Sequence, residues 1–66
     1  MKIEVNGEKQ EVPDGLTVRE LLVRLDVGKA RVAVERNLEI VPKKEFDTCR
    51  LAEGDRLEVV TLVGGG

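Results

Sequence analysis

Apolar and polar residues alternate from the first position, with Met1, Ile3 and Val5 on one side and Lys2 and Glu4 on the other. That is the two-residue period of a half-buried strand. Asn6-Gly7 comes next, and these residues supply the positive φ angles that a two-residue type I′ hairpin turn needs. Glu8 to Val12 is then the returning strand. Val12 is its only apolar residue, which suits the edge of a sheet. Pro13-Asp14-Gly15 closes it, since proline cannot donate to the ladder and Asp-Gly favours a turn.

The period then changes from two to that of a helix. Thr17-Val18-Arg19-Glu20 fits a capping box, in which the threonine hydroxyl and the glutamate carboxylate satisfy free amides at a helix start. Leu16 and Leu21 fit the accompanying hydrophobic staple. Val18, Leu21, Leu22 and Leu25 follow at i, i+3, i+4 and i+7, a single apolar stripe suited to lie on a sheet. Gly28 is the expected C-terminal stop. Gly28-Lys29 partly resembles a phosphate-binding loop, but the preceding glycine and the following Ser or Thr are absent.

Alternation returns at Arg31 to Arg36, with Val32 and Val34 facing one way and Ala33 and Glu35 the other. Asn37 turns the chain into a short fourth strand, Leu38 to Val41, and Pro42 opens a short helix or tight loop through Phe46. Phe46 is expected to pack beneath it. Lys43-Lys44 reads as a solvated surface pair. Glu53-Gly54-Asp55 is the last turn, and Arg56 to Val63 the last strand. There Leu57, Val59, Thr61 and Val63 share one face while Glu58, Val60 and Leu62 share the other.

Composition narrows the functional classes. Sixty-six residues make one small domain, with 41% apolar and 36% charged residues, in the range of a compact soluble fold. A net charge of -2 and a single aromatic, Phe46, argue against nucleic acid and anionic lipid as partners. With no histidine and one cysteine, metal ligation is poorly served. Cys49 is expected to be a small buried hydrophobe. No histidine, nucleophile pair or carboxylate dyad suggests an enzyme. No apolar run reaches the roughly 20 residues of a membrane span, and the start lacks a signal-peptide core. A cytoplasmic protein is the simplest expectation.

The remaining feature is the end, Val63-Gly64-Gly65-Gly66. Alone, a glycine-rich terminus is what a frayed end looks like. Three glycines, however, carry a terminal carboxylate about 10 Å beyond Val63 on a string without side chains. The expected organisation is a folded body over 1–63 and a flexible glycine tail over 64–66.

The order strand, strand, helix, strand, short strand, short helix, strand matches the ubiquitin-like β-grasp, an α+β fold with a mixed sheet packed on one main helix. Over nearly its whole length the chain resembles the sulfur carriers of thiamine biosynthesis, the ThiS family. The resemblance rests on Ile3-Glu4-Val5-Asn6-Gly7, Thr17-Val18-Arg19-Glu20-Leu21-Leu22, Val34-Glu35-Arg36-Asn37-Leu38-Glu39-Ile40-Val41-Pro42, Glu53-Gly54-Asp55 and the terminal Val63-Gly64-Gly65-Gly66. Leu62 departs from it, since relatives frequently carry an aromatic just before the tail.

The resemblance implies that Gly66 is the point of sulfur attachment, adenylated and then converted to a thiocarboxylate. Gly65 would give clearance in a partner's narrow channel, Gly64 reach, and Val60, Leu62 and Val63 a docking surface. The implied partners are an adenylating (ThiF-like) activating enzyme that uses ATP, a sulfur donor such as a cysteine desulfurase, and a thiazole synthase (ThiG-like). The chain itself would bind no cofactor and supply no catalytic side chain. Similar bodies and tails occur in the small subunit of molybdopterin synthase and in ubiquitin-like protein modifiers. A passive interaction domain, using the Val60 and Leu62 face without chemistry at the tail, is the remaining alternative.

Overall fold

The computed structural model describes residues 1–62. The expected boundary between body and tail, and Val63, Gly64, Gly65 and Gly66 with it, lie outside the described residues. Five strands and one α-helix form in the order β1 (Lys2–Val5), β2 (Glu8–Glu11), α1 (Val18–Arg24), β3 (Val32–Arg36), β4 (Glu39–Ile40) and β5 (Arg56–Thr61), with a 3-10 turn at Lys43–Glu45 before β5. The sheet runs β2-β1-β5-β3-β4. β1 and β5 are parallel, while the β1–β2, β3–β5 and β3–β4 pairs are antiparallel. The sheet is therefore mixed, with β5 at its centre and the polar β2 at its edge, as its sequence requires.

The apolar stripe of α1 meets the inward face of the sheet. Val18, Leu21 and Leu22 are buried with Ile3, Val5, Val34 and Leu57, and Phe46 and Leu51 close the core beside them. Leu21, Leu22 and Leu57 are each no more than 1% exposed, and full burial of such a side chain contributes about 1.5 to 3 kcal/mol. The helix starts where its capping box lies: the Glu20 amide donates to Thr17 Oγ1 at 3.2 Å, and the Thr17 amide to Glu20 Oε1 at 2.9 Å. Bonds from the Thr17 backbone, then from its side chain, hold the Glu20 carboxyl below its ordinary value.

The helix ends earlier than Gly28. Leu25 is the C-cap, Asp26 takes the left-handed conformation at φ 62°, and the Asp26 and Val27 amides donate back to the Val23 and Leu22 carbonyls, each at 3.0 Å. That is a Schellman ending with aspartate at the usual glycine position. Gly28 has another role: a Cβ there would stand 3.3 Å from Val23 Cγ2, so its missing side chain lets the connection lie close on the helix. β4 is also shorter than expected. Leu38 has φ 71° beside Asn37 at φ 52°, so it belongs to the turn and leaves only Glu39–Ile40 paired with β3.

Candidate functional site

β5 leads directly toward the glycine end, and the chain holds it from both neighbours. On the β1 side, the Asn6 amide donates to the Leu57 carbonyl at 2.9 Å. The Asn6 side chain then spans Val59, with Nδ2 donating to its carbonyl at 3.1 Å and Oδ1 accepting from its amide at 2.8 Å. On the β3 side, the Asn37 amide donates to the Arg56 carbonyl at 2.7 Å, and Asn37 Oδ1 accepts from the Arg56 amide at 2.9 Å. Each asparagine adopts the left-handed conformation it tolerates and uses its amide side chain to extend the ladder.

The base of β5 is braced by Asp55, only 6% exposed. Its carboxylate accepts from Arg36 Nε at 2.8 Å, Asn37 Nδ2 at 3.1 Å and the Ala52 amide at 2.8 Å. Burial pushes the Asp55 carboxyl up, but the Ala52 amide, Asn37 and Arg36 outweigh it and hold the group below its ordinary value. For Arg36 the balance is the mirror image: burial lowers the guanidinium, and Asp55 more than restores it. Arg36-Asn37 and Asp55 were visible in the sequence as a strand end and a turn. Their mutual bonds were not, because 18 and 19 positions separate the partners.

The outward sheet face carries part of the expected docking surface. Val60 stands opposite Ala33, and Glu35 opposite both Glu58 and Ile40. Val60 is 54% and Ile40 69% exposed, and Leu38 projects from the adjacent turn at 90%. Ile40 and Leu38 escaped the sequence reading, although strand alternation from Glu35 could have placed Ile40 on this face. Leu62 is 52% exposed, but it lies one residue beyond β5 and also lines a cavity beside Leu22 and Phe46. It therefore marks the margin of the surface. Val63 lies outside the described residues.

Cys49 is half-buried against the core rather than fully enclosed, and Arg36 Nη1 lies 3.6 Å from its sulfur. Lys43 and Lys44 are exposed. Among the described residues there is no group of three or more His, Cys, Asp or Glu side chains that could hold a metal ion, and no helix is long and apolar enough to cross a membrane. Among the described residues the geometry presents an apolar outer surface and a strand, β5, restrained from both sides.

Comparisons with known proteins agree with this architecture. The chain is 47% identical over its full 66 residues to the thiazole synthase of Paramagnetospirillum magneticum, of which it spans only 20%. It is 32% identical to the sulfur carrier protein ThiS of Escherichia coli, each covered in full. The crystal structure of the thiamine biosynthesis protein ThiS from Geobacter metallireducens superposes with a TM-score of 0.84 at 38% identity, again covering all of both chains. The fold is thus the ubiquitin-like β-grasp, and since the ThiS family model matches residues 2–66, the chain belongs to the ThiS family.

Proposed function

We propose that the protein carries sulfur as a thiocarboxylate on Gly66 for thiamine thiazole synthesis. The observation that carries this reading is a strand clamped on both sides by Asn6 and Asn37 that runs toward three terminal glycines in a member of the ThiS family. An ionised terminal carboxylate is resonance-stabilised and resists nucleophiles at neutral pH. An activating enzyme therefore supplies ATP: a Gly66 carboxylate oxygen attacks the α-phosphorus, pyrophosphate departs, and an acyl-adenylate forms. The terminal sulfur of a persulfide then attacks the acyl carbon and displaces AMP, giving an acyl disulfide. A thiol attacks the donor's sulfur, takes it into a new disulfide and releases the thiocarboxylate.

Thiazole synthase is the acceptor in this proposal. The support is that the thiazole synthase of Paramagnetospirillum magneticum contains a region matching this entire chain. Gly65 keeps the approach to the acyl carbon free of side chains, and Gly64 adds reach. Val60, joined by Ile40 and Leu38, provides the apolar surface that seats the body while the tail enters the partner.

Intact-mass measurement after incubation with the activating enzyme, ATP and a sulfur donor tests the chemistry. The wild-type chain gains the mass of one sulfur-for-oxygen exchange. Deleting Gly66, or extending the chain beyond it, abolishes that gain without changing the thermal midpoint. Sulfur gain on the extended chain would refute the proposal.

A further inference from the structure

A cavity of about 220 Å³ opens where β5 ends, on ground separate from Val60 and Ile40. Leu22, Phe46 and Leu62 give it apolar walls, and Arg19, Arg31 and Lys43 also line it. No carboxylate lines it among the described residues, in a chain whose net charge is -2. Arg19 is committed locally, its Nε bound to Asp47 at 3.0 Å and its guanidinium 5.4 Å from the Phe46 ring centre. Arg31 and Lys43 enter no ion pair among the described residues, and both are exposed. The cavity thus concentrates positive charge over an apolar floor.

Its position gives that charge a use. The Leu62 amide donates to the Arg31 carbonyl at 2.8 Å, so the root of the tail is tied to the cavity's rim. Four residues follow Leu62, and fully extended they span about 13 to 14 Å. A protein that draws Gly66 into its own site is held within that distance of Leu62.

We propose that the Arg31–Lys43 cavity is a docking socket for an acidic segment of thiazole synthase, a carboxylate flanked by an apolar side chain, beside the entrance that takes the tail. The inference rests on the proposed function, which identifies the synthase as acceptor. Charge complementarity selects the carboxylate, and the Leu22, Phe46 and Leu62 walls select its apolar neighbour. The socket fixes the orientation of the body about the tail, which an apolar sheet face alone leaves loosely specified. Paired charges at such a rim act through association rate and salt dependence as well as affinity.

Binding of the full chain to purified thiazole synthase, measured by calorimetry at low and moderate salt, tests the socket. Combining Arg31→Glu with Lys43→Glu should weaken binding by about tenfold or more and flatten its salt dependence. The milder pair Arg31→Gln and Lys43→Gln should fall between, and the thermal midpoints of all variants verify folding. Affinity and salt dependence unchanged in the reversed pair, or tighter binding, overturns the socket while leaving the carrier reading intact. Failure of the wild-type chain to bind the synthase removes the acceptor assignment and the socket together.

Discussion

The two hairpin turns of this protein are built alike and finished differently. Asn6-Gly7 joins paired Val5 and Glu8, and Asn37-Leu38 joins paired Arg36 and Glu39. All four turn residues have positive φ, the type I′ requirement. Both asparagines also reach across to β5. Beyond that the turns diverge in two ways. Asn37 is braced from below by the buried Asp55, whereas among the described residues the side chain of Asn6 bonds only to the backbone of Val59. And the second turn position holds glycine in one hairpin and leucine in the other, where a left-handed leucine is strained and 90% exposed. This strained, exposed leucine is the position at which the proposed docking surface can be tested apart from the fold.

Asp55→Ala should separate the turns most sharply. It leaves Arg36, Asn37 and the Ala52 amide without their shared acceptor. Removing one member of a buried pair costs about 3 to 5 kcal/mol. Because the Arg36 side chain is 32% exposed, solvent screening reduces the expected loss to about 2 to 3 kcal/mol, measurable by urea denaturation. The pH dependence has a defined sign. Folded Asp55 lies below the ordinary value of 3.8, so its contribution is complete well above that pH and is lost as pH falls through the depressed folded value. The gap between wild type and variant should stay constant near neutrality and narrow below pH 3.8. A gap that persists unchanged into acid would show that Asp55 acts by packing alone.

Asn6→Ala is the next largest. It removes both side-chain bonds to Val59 and the residue's tolerance of positive φ, for an expected loss of about 1 to 2 kcal/mol. Hydrogen exchange at the Val59 amide should accelerate more than the global stability change explains. If that amide stays as protected as in the wild type, the clamp on the β1 side is dispensable.

The smallest effect is the most informative about docking. Leu38→Gly relieves left-handed strain of about 1 to 2 kcal/mol but adds unfolded-state entropy of about 0.4 to 1 kcal/mol. The net result should be a stabilisation of roughly 0.5 kcal/mol together with weaker binding to thiazole synthase. Opposite signs for the two measurements distinguish a recognition residue from a structural one. A loss of stability, or unchanged binding, would defeat that reading of the turn.

Much of this architecture was legible because its causes are local. The alternation of Ile3 and Val5, the Asn6-Gly7 turn and the Thr17–Glu20 capping box depend on residues within a few positions of each other, and each forms where the pattern places it. The ends of elements were less legible. Aspartate at position 26 replaces the expected glycine stop, since a Schellman ending needs a left-handed residue and a set of amide bonds, which Asp26 supports. The apolar pattern places Leu38 in a strand because apolar residues rarely occupy a left-handed turn, yet it takes φ 71°.

From sequence alone came the strand and helix periods, the burial of the helix stripe and the side-chain-free end beyond β5, all consequences of spacing and of glycine's missing Cβ. Tertiary structure alone decided that Asp55 is a buried hub rather than a surface turn residue, that two distant asparagines clamp the same strand, and that Arg31 and Lys43 line one cavity with Leu62. The physical reason is common to all three. Backbone period reports which face a side chain occupies, whereas hydrogen-bond partners and convergent charges are set by which strands become neighbours, and here parallel pairing of β1 with β5 places the first and last strands side by side.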